Sequence, residues 1–364
     1  MASEDRLADT PHREKGGDVG ETDRATTLSS ELTSRMARTS GTRESSRVKC
    51  MRRTFLRAGG VGVAGLLAST ATSAAASGGS VPGETGALTV RQPDTTTGHT
   101  VSLARTYENP VVVIKPVGFE GHQPVHVRLG DVSSGEFTFR IEEWDYLDGA
   151  HITERLFYLV VESGSHTLAD GTTVQAGTIA GDHRFRGVAF PTAFATRPVV
   201  FTQSQTYRGG HEIVTRNRRV STSGFDTRVQ EEEGRDGWHT TERIGYVATE
   251  PTTATGFEIG RTPDTVTDDP FRIGFENDYD SVQFLADMQT TDGTDTAELR
   301  YRGLTSSSAT LFVEEERSAD RETGHITEAV GYLATAPGAL FGDGAGGDPA
   351  GYGAGGYGVG AYGT

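Results

Sequence analysis

Short apolar runs, each four to six residues long and set off by turn residues, recur along the chain from residue 86 to residue 337. Val111 to Ile114, Phe137 to Ile141 and Leu156 to Val161 are rich in β-branched and aromatic side chains, which pack well on a pleated surface. Gly130-Asp131, Ser133-Ser134-Gly135, Asp148-Gly149 and Asp170-Gly171 punctuate them as turns. Glu154, Leu156, Tyr158 and Val160 alternate onto one face of a strand, matched later by Glu242, Ile244, Tyr246 and Ala248. No segment carries a helical period. Four to six short strands in about 85 residues predict a small antiparallel β-sandwich, so the fold class is all-β.

The strand pattern occurs three times. Arg128, Arg216 and Arg300 correspond, as do Glu143, Glu231 and Glu315; His151, His239 and His325; and Glu154, Glu242 and Glu328. Arginine and the first glutamate are 15 residues apart in every copy, whereas that glutamate and the histidine are 8, 8 and 10 apart. A length change confined between fixed flanks marks a surface loop between strands. Three tandem sandwich domains follow, at 86–169, 170–254 and 255–337. Each is small enough to bury only roughly 60% of its unfolded surface. Without disulfides, such units lean on one another or on another subunit, as a homo-oligomer. The third copy is the most divergent: Ala309 stands where Phe137 and Phe225 stand, and its opening strand lacks the proline of Pro110 and Pro198.

The repeats resemble H-type lectin domains. The shared features are an aromatic, then Pro-Val-Val, a Val…Gly…Phe hairpin, a polar-aromatic loop and a closing apolar strand. They appear as Tyr107…Pro110-Val111-Val112, Val132…Gly135…Phe137, Trp144 and Phe157 to Val160. In the second copy they read Phe194…Pro198-Val199-Val200, Val220…Gly224-Phe225 and Tyr246 to Ala248. The resemblance implies a six-stranded antiparallel sandwich, sugar binding and trimeric packing, which three fused units would reproduce as a pseudo-trimer within the chain. This chain departs from the family in its longer acidic loop carrying His-x-Thr-Glu, near where the lectins place their binding loops.

The flanks carry an address. Arg52-Arg53-Thr54-Phe55-Leu56 opens a Gly/Ala-rich apolar run that ends near Ala74-Ala75-Ala76, the pattern of a twin-arginine signal over 51–77. That run is short of the ~20 residues of a membrane span, so no transmembrane anchor is expected after cleavage. Residues 1–50 are polar and read as a disordered leader, unless translation begins at Met51. The tail at 338–364 is Gly/Tyr-rich, with Tyr352, Tyr357 and Tyr362 five apart, and reads as disordered. The single cysteine, Cys50, precedes the signal, so the exported part has no thiol.

Residues 1–76 hold 12 of the 34 basic and 9 of the 50 acidic residues, which leaves a net charge of −19 beyond them and Lys115 as the sole lysine. An acidic, lysine-poor surface is of the haloarchaeal type: in molar salt, screening lengths shrink to ~3 Å and self-repulsion fades. The same charge excludes nucleic acid as a partner.

Candidate chemistry concentrates in the acidic loops. His151 and Glu154, with Glu143 or Asp148, make an imidazole–carboxylate set suited to Zn²⁺ or Mn²⁺, whereas carboxylates alone suit Ca²⁺. The competing reading is structural: Arg128–Glu154, Arg216–Glu242 and Arg300–Glu328 form bidentate ion pairs beside Tyr158, Tyr246 and Tyr332. Residues three apart on an extended chain point to opposite faces, which favours the structural reading. No cofactor is therefore assigned. Ca²⁺ could lie at Glu231 to Glu233 or Glu314 to Glu316, runs that a solvated acidic surface also explains. Trp144 and Trp238 sit in the loops either as sugar-stacking platforms or folded back over a core. His211-Glu212 lacks the second histidine of a zinc-protease helix, and no nucleophile elbow or phosphate loop occurs. The expected function is non-enzymatic, multivalent recognition of an extracellular glycan or glycoprotein, secreted or at the cell surface. The expected contacts are Trp144, Asp148 and His151, with Asp236, Trp238 and His239. The alternatives are a structural cell-surface or assembly protein, and a metal-dependent hydrolase.

Overall fold

Each copy of the repeat closes two antiparallel sheets over one another. The computed structural model describes residues 83–341. The first unit comprises β1 (Gly83–Gln92), β2 (His99–Ser102), β3 (Pro110–Ile114), β4 (Val117–Gly118), β5 (Val125–Val132), β6 (Glu136–Glu143) and β7 (His151–Glu162). The second has β8 (Gly164–Thr167), β9 (Thr173–Gly181), β10 (Arg186–Ala189), β11 (Val199–Ser204), β12 (Ile213–Ser221), β13 (Gly224–Glu231) and β14 (Glu242–Thr249). The third has β15 (Thr252–Ala254), β16 (Phe257–Val266), β17 (Phe271–Gly274), β18 (Gln283–Met288), β19 (Ala297–Thr305), β20 (Ser308–Glu315) and β21 (Glu328–Thr335). No helix occurs among the described residues, so none there could cross a membrane.

The pairing is the same three times. The first strand flanks the last, which flanks the third: β1-β7-β3, β9-β14-β11 and β16-β21-β18. The opposing sheets are β2-β6-β5, β10-β13-β12 and β17-β20-β19. Three six-stranded antiparallel sandwiches result. The hairpin strands β8 and β15 extend the sheets of the second and third units, so the seams fall near residues 163 and 251, a few residues before the expected 169 and 254. Gly338–Phe341, expected to begin a disordered tail, instead form a turn with Leu340 and Phe341 buried, the latter's ring against Gly83. The leader, the signal and the rest of the tail lie outside the described residues.

Alternation along the closing strand explains one core per unit but not the whole burial pattern. Leu156, Tyr158 and Val160 face the first unit's own core with Val112, Ile114, Phe137 and Phe139. Their neighbours Phe157, Leu159 and Val161 are equally buried, in a second cluster with Val111, Val113, Val199, Phe201, Val247, Leu285 and Leu333. Side chains from all three units meet there. Strands buried on both faces read as continuous apolar runs, which is what Leu156 to Val161 is.

The third unit keeps its core volume by exchange. Ala309 replaces the ring of Phe137 and Phe225, while Phe284 replaces Val112 and Val200 on the facing sheet and packs against Phe275 and Tyr301. Volume-conserving swaps of this kind are the ones cores tolerate.

Candidate functional site

The recurring arginines, histidines and glutamates converge at the boundaries between units. Arg128 donates to Glu242 at 3.3 Å, Arg216 to Glu328 at 2.9 Å and Arg300 to Glu154 at 3.2 Å. Each arginine thus reaches the glutamate of the next unit, and the third reaches back to the first. The pairs expected within one copy, Arg128–Glu154, Arg216–Glu242 and Arg300–Glu328, are corrected accordingly. Identical repeats give the same residue spacing whether the bond closes inside a copy or across to its neighbour. Nor do the tyrosines flank these pairs. Tyr158 lies in its own unit's core, and Arg128 packs instead over the ring of Tyr207 at 4.5 Å.

Each glutamate is gripped from several sides. His151 places Nδ1 3.0 Å from Glu143 and Nε2 3.1 Å from Glu154. His239 spans Glu231 and Glu242 at 2.7 and 3.2 Å, and His325 spans Glu315 and Glu328 at 2.6 and 3.3 Å. In β7 a bulge opposes the three residues from Gln92 back to Val90 with the four from His151 to Glu154, which turns both side chains to one side. Backbone N–H groups of Glu120 and Gly121 also donate to Glu154, that of Arg208 to Glu242, and those of Asp292 and Gly293 to Glu328. Burial alone would raise the Glu154 carboxyl, but His151, the two backbone donors and Arg300 together hold it below its ordinary range. Glu242 and Glu328 are held down in the same way against the same penalty. Burial works against the charge on His239 too, yet Glu242 and Glu231 raise its pKa. With carboxylates at both ring nitrogens, the imidazole fills the place a metal ion would take, so the Zn²⁺ or Mn²⁺ reading of this set is dropped.

Several further seam residues recur at fixed spacing in the sequence. Gly121, Gly209 and Gly293 lie over the three histidine rings, where an added Cβ would meet the ring at 2.6, 3.0 and 2.5 Å. They precede their histidines by 30, 30 and 32 residues, a spacing as regular as the one used to align the copies. Gln205 of the second unit both donates to and accepts from the backbone of Val112 in the first, and Gln289 of the third does the same to Val200. At the remaining boundary Lys115 takes this part. It is buried and lies 3.0 Å from Asp287 and 3.3 Å from Glu298, and these partners keep it charged despite the burial. The one lysine beyond residue 76 is therefore an internal fastener.

The loop residues divide into buried and exposed sets. Trp144 is only 2% exposed and packs against the His126 ring, tilted, at 4.4 Å, so it is not a surface platform. His151 and His239 are likewise buried and cannot touch a surface ligand. Asp148 and Asp236 are exposed and accept from the backbone N–H groups of Ala150 and Trp238, which shapes their turns. Trp238 is 58% exposed, with its ring 6.1 Å from that of His183. Ile152 and Ile326, beside the corresponding histidines of the other units, are also exposed.

Two crevices run along unit boundaries. One of about 370 Å³ is lined by Asn109, Ser133, Ser134, Thr178 and Arg243, and one of about 180 Å³ by His122, Asp268, Glu314 and Arg317. Three interlocked sandwiches with acidic loops at the boundaries are the arrangement to set beside known proteins. The chain is similar to halomucin. That protein, from Haloquadratum walsbyi, is 37% identical over 284 residues, which span 73% of this chain. The match covers 3% of halomucin's own length, so the likeness concerns a small segment of it. No family model matches the chain, and no solved structure matches it.

Proposed function

We propose that the chain is a non-enzymatic extracellular binding module that recognises a glycan or glycoprotein. The observation that carries this reading is Trp238, the only large aromatic among the described residues more than half exposed, on a turn between Asp236 and His239 in which Asp236 accepts from the Trp238 backbone N–H. An indole face meets the C–H face of a pyranose while adjacent carboxylate and imidazole groups bind its hydroxyls. Asp236 and His183 supply those polar groups here. Asp148, on the first unit's loop, is the remaining solvent-facing candidate. Ile152 and Ile326 give the other two loops smaller apolar surfaces, so the second unit is the principal site. The resemblance to H-type lectins, the twin-arginine pattern and the similarity to halomucin support an exported, haloarchaeal, carbohydrate-directed role.

A glycan array probed in high salt tests the proposal. Binding that falls at least tenfold in Trp238→Ala, with folding unchanged, is the expected result. An array without signal, even for multimerised protein, would sink the idea. The second reading, a structural cell-surface or assembly protein, is favoured by the extent of side chain committed to holding the units together. It predicts self-association that Trp238→Ala leaves unaltered.

A further inference from the structure

Between the first and third units one cluster sets an amine against two carboxylates away from water. Lys115, Asp287 and Glu298 are all buried, and Nζ of Lys115 lies 3.0 Å from Oδ1 of Asp287 and 3.3 Å from Oε2 of Glu298. The hydroxyl of Thr215 accepts from the same Nζ at 3.2 Å. The backbone N–H of Ala286 donates to the Lys115 carbonyl at 3.4 Å, which holds the two chain segments side by side. Val113 and Leu285, two positions earlier on the same faces, belong to the apolar cluster that the units share.

The two oxygens of Asp287 have different surroundings. Oδ1 faces the amine, whereas Oδ2 accepts from the Thr202 backbone N–H at 2.7 Å, the Thr202 hydroxyl at 3.1 Å and Nδ2 of Asn217 at 3.2 Å. Three donors aimed at one oxygen, with the other left to a nucleophile, stabilise negative charge that develops on Oδ2. Burial outweighs the pull of Lys115 and raises the Asp287 carboxyl above its ordinary range, so that a proton on it is accessible. Internal symmetry supplies the control. Where this boundary has Lys115 and Glu298, the matching residues are Gln203 and His126 at one of the others and Asp287 and Val214 at the last. The scaffold therefore closes without an amine and a carboxylate at these positions.

We propose that Lys115 and Asp287 condense to an amide, with Glu298 as the proton carrier, and so join the first unit covalently to the third. The ion pair is the starting state. Glu298 takes one proton from the ammonium and returns it to Oδ1, which leaves a neutral amine facing a neutral acid. The nitrogen lone pair forms a bond to Cγ, and the carbonyl pair moves onto Oδ2. Glu298 then carries a second proton from nitrogen to the Oδ1 hydroxyl; the carbonyl re-forms, and the Cγ–Oδ1 bond breaks to release water. One ammonium and one carboxylate become one amide and one water, with no other reactant. Their fixed placement supplies the effective concentration that a free amine and acid lack. The product removes two buried charges, and its oxygen keeps the donors of Oδ2. The link joins residues 172 positions apart.

Peptide mass spectrometry on the full chain, folded in high salt and then denatured, tests the assignment. Trypsin should release residues 106–128 and 273–300 as one branched peptide, lighter than the sum of its arms by one water. Fragmentation should place the branch between Lys115 and Asp287. Glu298→Gln should lower the linked fraction at least tenfold while circular dichroism stays native. Recovery of the two arms only as separate peptides from the folded native chain would overturn the proposal and leave a salt bridge. So would a branch at Glu298 in place of Asp287, or undiminished linkage in folded Glu298→Gln.

Discussion

Arg216 and Glu328 lie 2.9 Å apart with neither side chain open to water. Removing one partner strands a buried charge, at a cost of about 3–5 kcal/mol. Arg216→Ala and Arg300→Ala should each lower the unfolding free energy, measured by denaturant titration at fixed salt, by that much; a loss below about 1 kcal/mol would contradict the geometry. Arg128→Ala should cost less, since two of its three nitrogens already lack partners. His239 adds a pH dependence. His239 has a raised pKa when folded, so its contribution is complete below about pH 6.5 and is lost as pH climbs past the folded value. Glu242 is held low, so its contribution is complete above about pH 4.5 and is lost as pH falls through its folded value. The midpoint difference between the native chain and His239→Gln should therefore be largest between about pH 4.5 and 6.5 and shrink in alkali. A difference that widens above pH 8 would refute this charge assignment. At this scale the sequence was half legible. Recurrence named the arginines, histidines and glutamates, but spacing alone could not say which copy holds each partner. Nor could it separate Trp144 from Trp238, since both occupy acidic loops and differ only in what lies beneath them.

At the scale of the strands, legibility was high. Period-two alternation, turn residues and β-branched runs placed the closing strand of each unit, and the same arithmetic located the hairpin that varies in length. What the alternation concealed was the second buried face of Phe157, Leu159 and Val161, because a strand covered on both sides has no polar stripe to reveal it. The compensating pair in the third unit gives a sharp test. Phe284→Val should destabilise by about 2–4 kcal/mol by opening a cavity, and Ala309→Phe by about 1–3 kcal/mol by overpacking. The double variant restores the arrangement of the other two units and should be more stable than either single change. Additive losses, measured by a double-mutant cycle, would show that the two positions do not share a space.

The whole molecule is tied at every boundary. Beyond the arginine–glutamate bonds, β4 of the first unit runs parallel beside β19 of the third, with Val117 opposite Arg300 and Gly118 opposite Tyr301. Unit one thereby touches unit three although a complete sandwich separates them in sequence. The described strands all fall within a single compact body. Calorimetry should accordingly give one unfolding transition rather than three, and removing the third unit should leave the first two aggregating through Val111, Val113 and Phe201. Three separable transitions would mean that the shared core contributes little.

Because each arginine is answered from a different copy, the repeats cannot drift as independent lineages after duplication. A charge reversal in one segment of the gene calls for a matching change a full repeat downstream, or, for the last copy, back near the beginning. Private interiors escape this bond, which is why the third copy could trade its phenylalanine for alanine while its arginine stayed fixed. Among related chains, substitutions should therefore be correlated between neighbouring repeats at these positions and uncorrelated within a repeat.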